Sequence, residues 1–450
     1  MLRREERPQD GVLGAAYNKH KPRRRKGDAR GSHRVYLGVF CVLAFLTWYA
    51  RSGPKGLRIV PMPRIPAGSL TKKEFFKRYG DKTVIIEGGL RHHPAFGLGL
   101  ERLRDLCRGA TVETYTFDPQ SEEWGGHVGQ KELPIEDFID NYVLNETNNE
   151  KRYFPGGLVG MPMLCPVLEM LTPVLSYFTV GLKTLNHEAK VGPDGKAHQL
   201  VSHQPELFVG SGGTKTEMHM DSMPATFWMS VYFGKKMFRT ISYEDSIKHM
   251  PYYKDGDSVR WEKSVYNKKT GRKEKKHLEI WNPDLETFPE LKKVTVWEGT
   301  VSAGDWIYLP PATLHGVYNP EPFWTLTSMD IYPPLLDKFV DVCVDTDYMG
   351  RCRESILEIG ERKCNPAKIP RREDLKKCLR DSPYVRSIQK EYVDGERDLL
   401  DKFLHEMADY EDFKSWCGAI CAETKDHRNV CDACKKAFDD KALGSSEEML

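Results

Sequence analysis

The sequence lacks net charge: 67 basic residues stand against 65 acidic ones, a formal +2 over 450 residues. That balance excludes a chain built throughout to coat nucleic acid, and no nucleic-acid partner is expected. Long apolar runs are scarce, which excludes a polytopic membrane protein; one uncharged stretch of sixteen residues, VYLGVFCVLAFLTWYA at 35–50, stands out. No internal repeat is present. Cysteine is thin in the first 340 residues, where only Cys41, Cys107 and Cys165 occur, and the other eight lie between Cys343 and Cys434. What is present, 40% apolar and 29% charged residues, excludes a wholly disordered chain. The length allows one large domain with accessories, or two to three smaller ones.

Residues 1–34 form a polar, basic tail that includes HKPRRRK at 20–26. The run at 35–50 spans roughly 24 Å as a helix, enough for a thin early-secretory membrane. Trp48 and Tyr49 stand where an interfacial aromatic belt belongs. A cleaved leader fits less well, because the basic lead is long and Trp48 fills a position that wants a small side chain. Seven Lys and Arg lie between Lys21 and Arg34 against four between Arg51 and Ile65, which predicts a cytosolic N-terminus and a luminal body. The expectation is a single-pass type II membrane protein of the endoplasmic reticulum or Golgi. PRRRK read instead as a nuclear import signal gives the competing location. One glycosylation triplet, Asn145-Glu146-Thr147, falls on the proposed luminal side.

Residues 51–68, rich in Pro and Gly, predict an extended stalk without a packed core. Ser69 and Thr71 before Glu74 mark a helix start. From 69 to 335 the chain favours short strands (ELFVG, FWMSVYF, KMFRTIS, WIYLP, WTLTSMDIY) between Gly, Pro and Asn clusters, which suggests a sandwich or barrel. A charged insert at 254–276 reads as a hairpin with a Gly-containing turn. Beyond 336 the spacing turns helical, predicting a separate Cys-rich helical module over 336–450.

Chemistry concentrates in ELFVGSGGTKTEMHMDSMPATFWMSVYFGKKMFRTIS. His219 and Asp221 are two apart, so on a strand they point the same way and can grip one ion. His315, reached through the Gly304-Asp305 turn and the WIYLP strand, supplies a third ligand from a distant strand. Two histidines and one carboxylate occupy one face of an octahedral ion and leave three positions open, which suits a non-haem Fe(II) site. Zinc prefers a tetrahedral set with one open position.

These segments resemble the jumonji C (JmjC) family of 2-oxoglutarate-dependent oxygenases within the cupin superfamily. SLTKKEFFKRYGDKTVIIEGGL is similar to the family's opening helix and strand, FVGSGGTKTEMHMD to its glycine-turn strand ending in HxD, and DLETFPELKKVTVWEGTVSAGDWIYLPPATLH to its approach to the distal histidine. The resemblance covers Ser69 to Pro333. It implies a mainly β fold with α: a double-stranded β-helix (jelly-roll) core, N-terminal helices and a helical C-terminal module. It implies that His219, Asp221 and His315 hold Fe(II), that Lys236 and Thr216 bind the distal carboxylate of 2-oxoglutarate, and that Thr327 lines the same pocket. O2 is the second co-substrate and a protein side chain the expected substrate. Hydroxylation is the implied reaction, and on an N-methyl group it becomes demethylation. A buried dicarboxylate needs a cation and donors, as Lys236 and Thr216 provide. Lys235, its neighbour, faces the other side of the strand. Leu314 and Met229 depart from the family's usual aromatic and polar residues.

His277-x-Glu279 imitates the ligand pair but lies in the charged insert without the glycine-turn context. GSGG before Thr214 reads as a tight strand-to-strand turn, because no Lys-Ser pair or helix follows. Cys417, Cys421, Cys431 and Cys434 suit two stapled helices or one zinc, and an oxidising lumen favours disulfides. Cys343, Cys352, Cys364 and Cys378 form another even set of open connectivity. The helical module is expected to serve a homodimer or partner. A non-catalytic cupin-like binding module and a nuclear JmjC demethylase are the alternatives to a luminal hydroxylase.

Overall fold

Alternating apolar residues in short runs build two facing sheets. The computed structural model describes residues 56–389 other than 92, 94, 119–120, 122–125, 157–164, 166–167, 169–175, 179–189, 192–196, 199–205, 222–223, 251–252, 256–257, 261, 346–348 and 387–388. The basic tail, the 35–50 run and Cys417 to Cys434 lie outside these residues. No helix among the described residues is long and apolar enough to cross a membrane.

One sheet has the order Arg58–Pro61, Thr295–Ser302, Lys235–Ile241, Leu314–Tyr318, Lys215–Met220, Ser258–Arg260, Tyr253–Asp255. The other runs Arg64–Pro66, Val84–Glu87, Trp306–Leu309, Thr226–Phe233, Phe323–Asp330, Glu206–Gly210, Tyr153–Pro155, Thr111–Phe117, His127–Pro134. This is the expected jelly-roll: sheet-on-sheet layers with helices outside. Phe238, Val301 and Val317 of the first sheet meet Ile85, Phe227, Met229, Val231 and Ile307 of the second in an interior apolar cluster. The second sheet's outer face presents Trp228, Tyr232, Trp306, Tyr308 and Trp324, which pack against the helices. Thr226–Phe233 is therefore buried on both faces, and its sequence is apolar or small almost throughout.

The helix Lys72–Tyr79 starts as its sequence predicts: Thr71 caps the Glu74 amide and the Glu74 carboxylate returns to the Thr71 amide. The charged insert forms the hairpin Glu262–Asn267 with Arg272–His277, closed around Gly271 at φ +68.

Two expectations are corrected. The second part of the proposed 51–68 stalk is not a coreless spacer: Arg58–Pro61 and Arg64–Pro66 add an edge strand to each sheet, and Met62 and Ile65 are buried. Edge positions tolerate proline because one side of the strand needs no ladder amide. Nor do the helices after 336 stand apart. Leu336–Asp345, Met349–Ile359 and Arg372–Asp381 place Phe339, Val340, Ile356, Leu375 and Leu379 in the same core cluster as Trp228 and Trp324. An apolar helix stripe must be buried against something, and here the outer face of the sheet receives it.

Three disulfides brace these parts: Cys107–Cys165, Cys343–Cys352 and Cys364–Cys378, the last two settling the open connectivity of that set.

Candidate metal centre

Register brings the ligands together. The strands Lys215–Met220 and Leu314–Tyr318 are antiparallel neighbours, and His219 lies directly across from His315. A bulge between Thr216 and His219 shifts the ladder just before the ligand. The imidazole centroids are 4.3 Å apart. Asp221, one residue past the strand, places Oδ1 3.6 Å from His219 Nε2 and 3.8 Å from His315 Nε2. The three ligand atoms lie within 4.8 Å of one another, and this is the one such cluster among the described residues. His277 and Glu279 do not join it; Glu279 pairs with Lys215 at 3.0 Å.

The donor set fits a divalent ion. Each histidine turns Nδ1 to a backbone carbonyl two residues before it, His219 to Glu217 at 2.7 Å and His315 to Thr313 at 3.1 Å. Those bonds fix the tautomer that leaves Nε2 as a lone pair. Burial, seconded by His219 and opposed by Asp221, pushes the His315 imidazole down to about 4, so the ring is neutral at physiological pH. Burial opposes ionisation of Asp221, but His315 and His219 outweigh it and hold the carboxyl below its ordinary value. Two imidazole Nε2 atoms and one carboxylate, with about 2 Å from each donor to an ion, can close on a cation placed between them. The turn that delivers His315 holds Ala312 in the left-handed region at φ +58, a strained conformation for a residue with a Cβ. A small cleft beside Asp221 is lined by Met220, Phe227, Leu309, Pro310 and Thr313.

Between the sheets sits a second unusual group. Lys236 is fully buried and its Nζ has no hydrogen-bond partner among the described residues. Phe323, Tyr153 and Phe208 surround the ammonium at 3.9, 5.3 and 5.5 Å from their ring centroids. Desolvation drives its pKa well below that of an ordinary lysine. Lys235 is half-exposed and faces Glu321 at 3.6 Å, so the strand register separates the two lysines as the sequence predicts.

Thr216 is buried and its side chain lies beside the Tyr153 phenol. Burial, helped by Glu206, raises the Tyr153 phenol well above its ordinary value, so it remains a neutral donor. Tyr153 escaped the sequence reading, because nothing local in KRYFP marks it; only the pairing of Tyr153 with Gly210 brings it to the site. Thr327 lies on the expected strand, but its hydroxyl donates to Trp228 O at 2.7 Å and is engaged within the sheet. Thr325, two residues earlier on the same face, is fully buried, and its Oγ1 has no partner among the described residues. Leu314 and Met229 are both buried apolar residues and remove no ligand.

Residues 73–329 match the family model of the cupin-like domain. This chain belongs to the cupin-like domain family. The matched residues supply nearly all of both sheets, apart from the edge strands Arg58–Pro61 and Arg64–Pro66, and contain the His219–Asp221–His315 cluster, Lys236 and Tyr153. Curated relatives agree with the jumonji C resemblance. Lysine-specific demethylase 8 of Danio rerio is 24% identical over 257 residues, 55% of this chain and 53% of that protein. JmjC domain-containing protein F of Dictyostelium discoideum is 22% identical over 248 residues, 54% of this chain and 49% of that protein. The chain thus spans about half the length of the curated relatives it matches.

Proposed function

We propose that the chain is an Fe(II)- and 2-oxoglutarate-dependent oxygenase that hydroxylates a protein side chain in the secretory pathway. One observation carries this reading: a three-ligand metal cluster and a buried, unpartnered lysine occur in the same jelly-roll. His219 and His315 would hold the ion through Nε2 and Asp221 through its carboxylate. Lys236, Thr216 and Tyr153 would take the distal carboxylate of 2-oxoglutarate, replacing the water that a dicarboxylate loses on burial. When bound, iron with 2-oxoglutarate and O2 supplies the oxidising power for an unactivated C–H bond. The chain supplies placement, a neutral His315 and two buried histidine ligands.

Demethylation is the second reading, favoured by the name of the Danio rerio relative. Both reactions begin with attack on a C–H bond, and mass analysis of the modified side chain separates them. A non-catalytic binding module would keep the fold without turnover.

For location, three disulfides in the described residues suit an oxidising compartment. The 35–50 run with its basic flank suits a type II anchor, with the body in the lumen of the endoplasmic reticulum or Golgi. We assign the helical module at 336–450 to homodimer or partner contacts. Release of succinate that requires iron and 2-oxoglutarate tests the activity. Protease protection of the body in sealed microsomes tests the location, and an exposed body would favour the nuclear reading.

A further inference from the structure

We propose that Asn145 carries an N-linked oligosaccharide. The proposal rests on the luminal placement above and is independent of the catalytic reading. Asn145-Glu146-Thr147 follows the helical turn Ile139–Val143, and all three side chains are exposed. Asn145 Oδ1 accepts two hydrogen bonds from Thr147, at 3.1 Å from the backbone amide and 2.6 Å from the hydroxyl. No described residue accepts a hydrogen bond from Asn145 Nδ2, which points away from this pair of bonds.

Geometry and chemistry agree. Donation of the Thr147 hydroxyl proton to Oδ1 draws electron density onto the carbonyl and makes an Nδ2 proton easier to lose. The co-reactant is a lipid-pyrophosphate-linked oligosaccharide. Nδ2 gives one proton to a base of the transferase and bonds to the anomeric carbon of the first sugar. The bond from that carbon to the pyrophosphate oxygen breaks, and the electron pair leaves with the lipid pyrophosphate. Nothing is oxidised or reduced.

The arrangement spans three residues, so it forms during synthesis without waiting for the sheets to close. In the folded domain the loop is pinned from inside: Asn148 donates its backbone amide to Asn145 O at 3.1 Å and its Nδ2 to Asn141 O at 2.8 Å, and Lys151 Nζ reaches Asn148 O at 2.9 Å. The side chain that would carry the sugar is left outside, so a bulky adduct requires no repacking.

The test uses the full chain made in cells with a secretory pathway. Gel mobility is read before and after treatment with a peptide amidase that removes N-glycans, beside protease protection of the body in microsomes. The expected result is one amidase-sensitive shift that disappears in Asn145→Gln and Thr147→Ala and persists in Thr147→Ser and Glu146→Gln. Unmodified Asn145 in a protease-protected body would overturn the glycan while leaving the luminal placement intact. Unmodified Asn145 in a protease-accessible body would overturn both. Neither result bears on iron-dependent turnover, which is measured separately.

Discussion

Lys236 Nζ lies 3.9 Å from the centre of the Phe323 ring and has no hydrogen-bond partner among the described residues. A fully buried amine in that state destabilises the empty protein, by roughly 1–3 kcal/mol for the missing partner. Lys236→Met is expected to raise the unfolding temperature of the metal-free protein while raising the 2-oxoglutarate requirement at least tenfold. Lys235→Met is expected to change neither. Thermal unfolding and 2-oxoglutarate titration check this pair, and equal effects from the two substitutions would contradict the register assigned to the strand.

Tyr153 faces the same buried amine, its ring centroid 5.3 Å from Lys236 Nζ. Tyr153→Phe removes one hydroxyl and keeps the ring that faces Lys236. A lost hydrogen bond to a charged partner corresponds to roughly 1.5–3 kcal/mol, so the 2-oxoglutarate requirement should rise about tenfold or more with little change in maximal turnover. A fall in turnover at saturating 2-oxoglutarate, with the requirement unchanged, would place Tyr153 elsewhere in the reaction.

Acid should weaken the metal-free domain in a defined window. Burial and His219 hold the His315 ring at about 4 in the fold, against an ordinary 6.5. The unfolded chain binds the proton more readily between those values, so stability rises with pH across the window. It is lost as pH falls from 6.5 toward 4, by on the order of 2–3 kcal/mol. Denaturant unfolding at a series of pH values should show this slope, and His315→Gln should flatten it. A slope unchanged in His315→Gln would assign the titration to another group.

The disulfides predict a mass map. Non-reducing digestion should yield the pairs Cys107–Cys165, Cys343–Cys352 and Cys364–Cys378. Cys364→Ser with Cys378→Ser removes a cross-link between residues 14 apart and should cost about 3 kcal/mol. Six free thiols in native protein would contradict both the pairing and the oxidising compartment.

The sequence made the site largely legible and its surroundings less so. HxD on a strand and a distant histidine sufficed for the triad, since period-2 geometry is local and the ligand types are few. Lys236 was separable from Lys235 for the same reason. Tyr153 was not readable, because its contact with Thr216 depends on which strand lies beside Glu206–Gly210, and side-chain alternation does not specify neighbours. Cys107–Cys165 was hidden likewise. Residues 58–66 were misread because their prolines signal irregular chain, yet an edge strand tolerates proline. The helices from Leu336 announced an apolar face, but a periodic stripe does not say what covers it; Trp228 and Trp324 do.

The most direct test of the central claim is succinate release from 2-oxoglutarate by the purified full chain, with and without Fe(II), alongside His219→Ala, Asp221→Ala and His315→Ala. The expected result is iron-dependent succinate from the native chain, reduced at least a hundredfold in each variant while the fold persists by circular dichroism. Succinate release that continues in the folded variants, or iron-independent release from the native chain, would contradict the assignment of this triad as the metal centre.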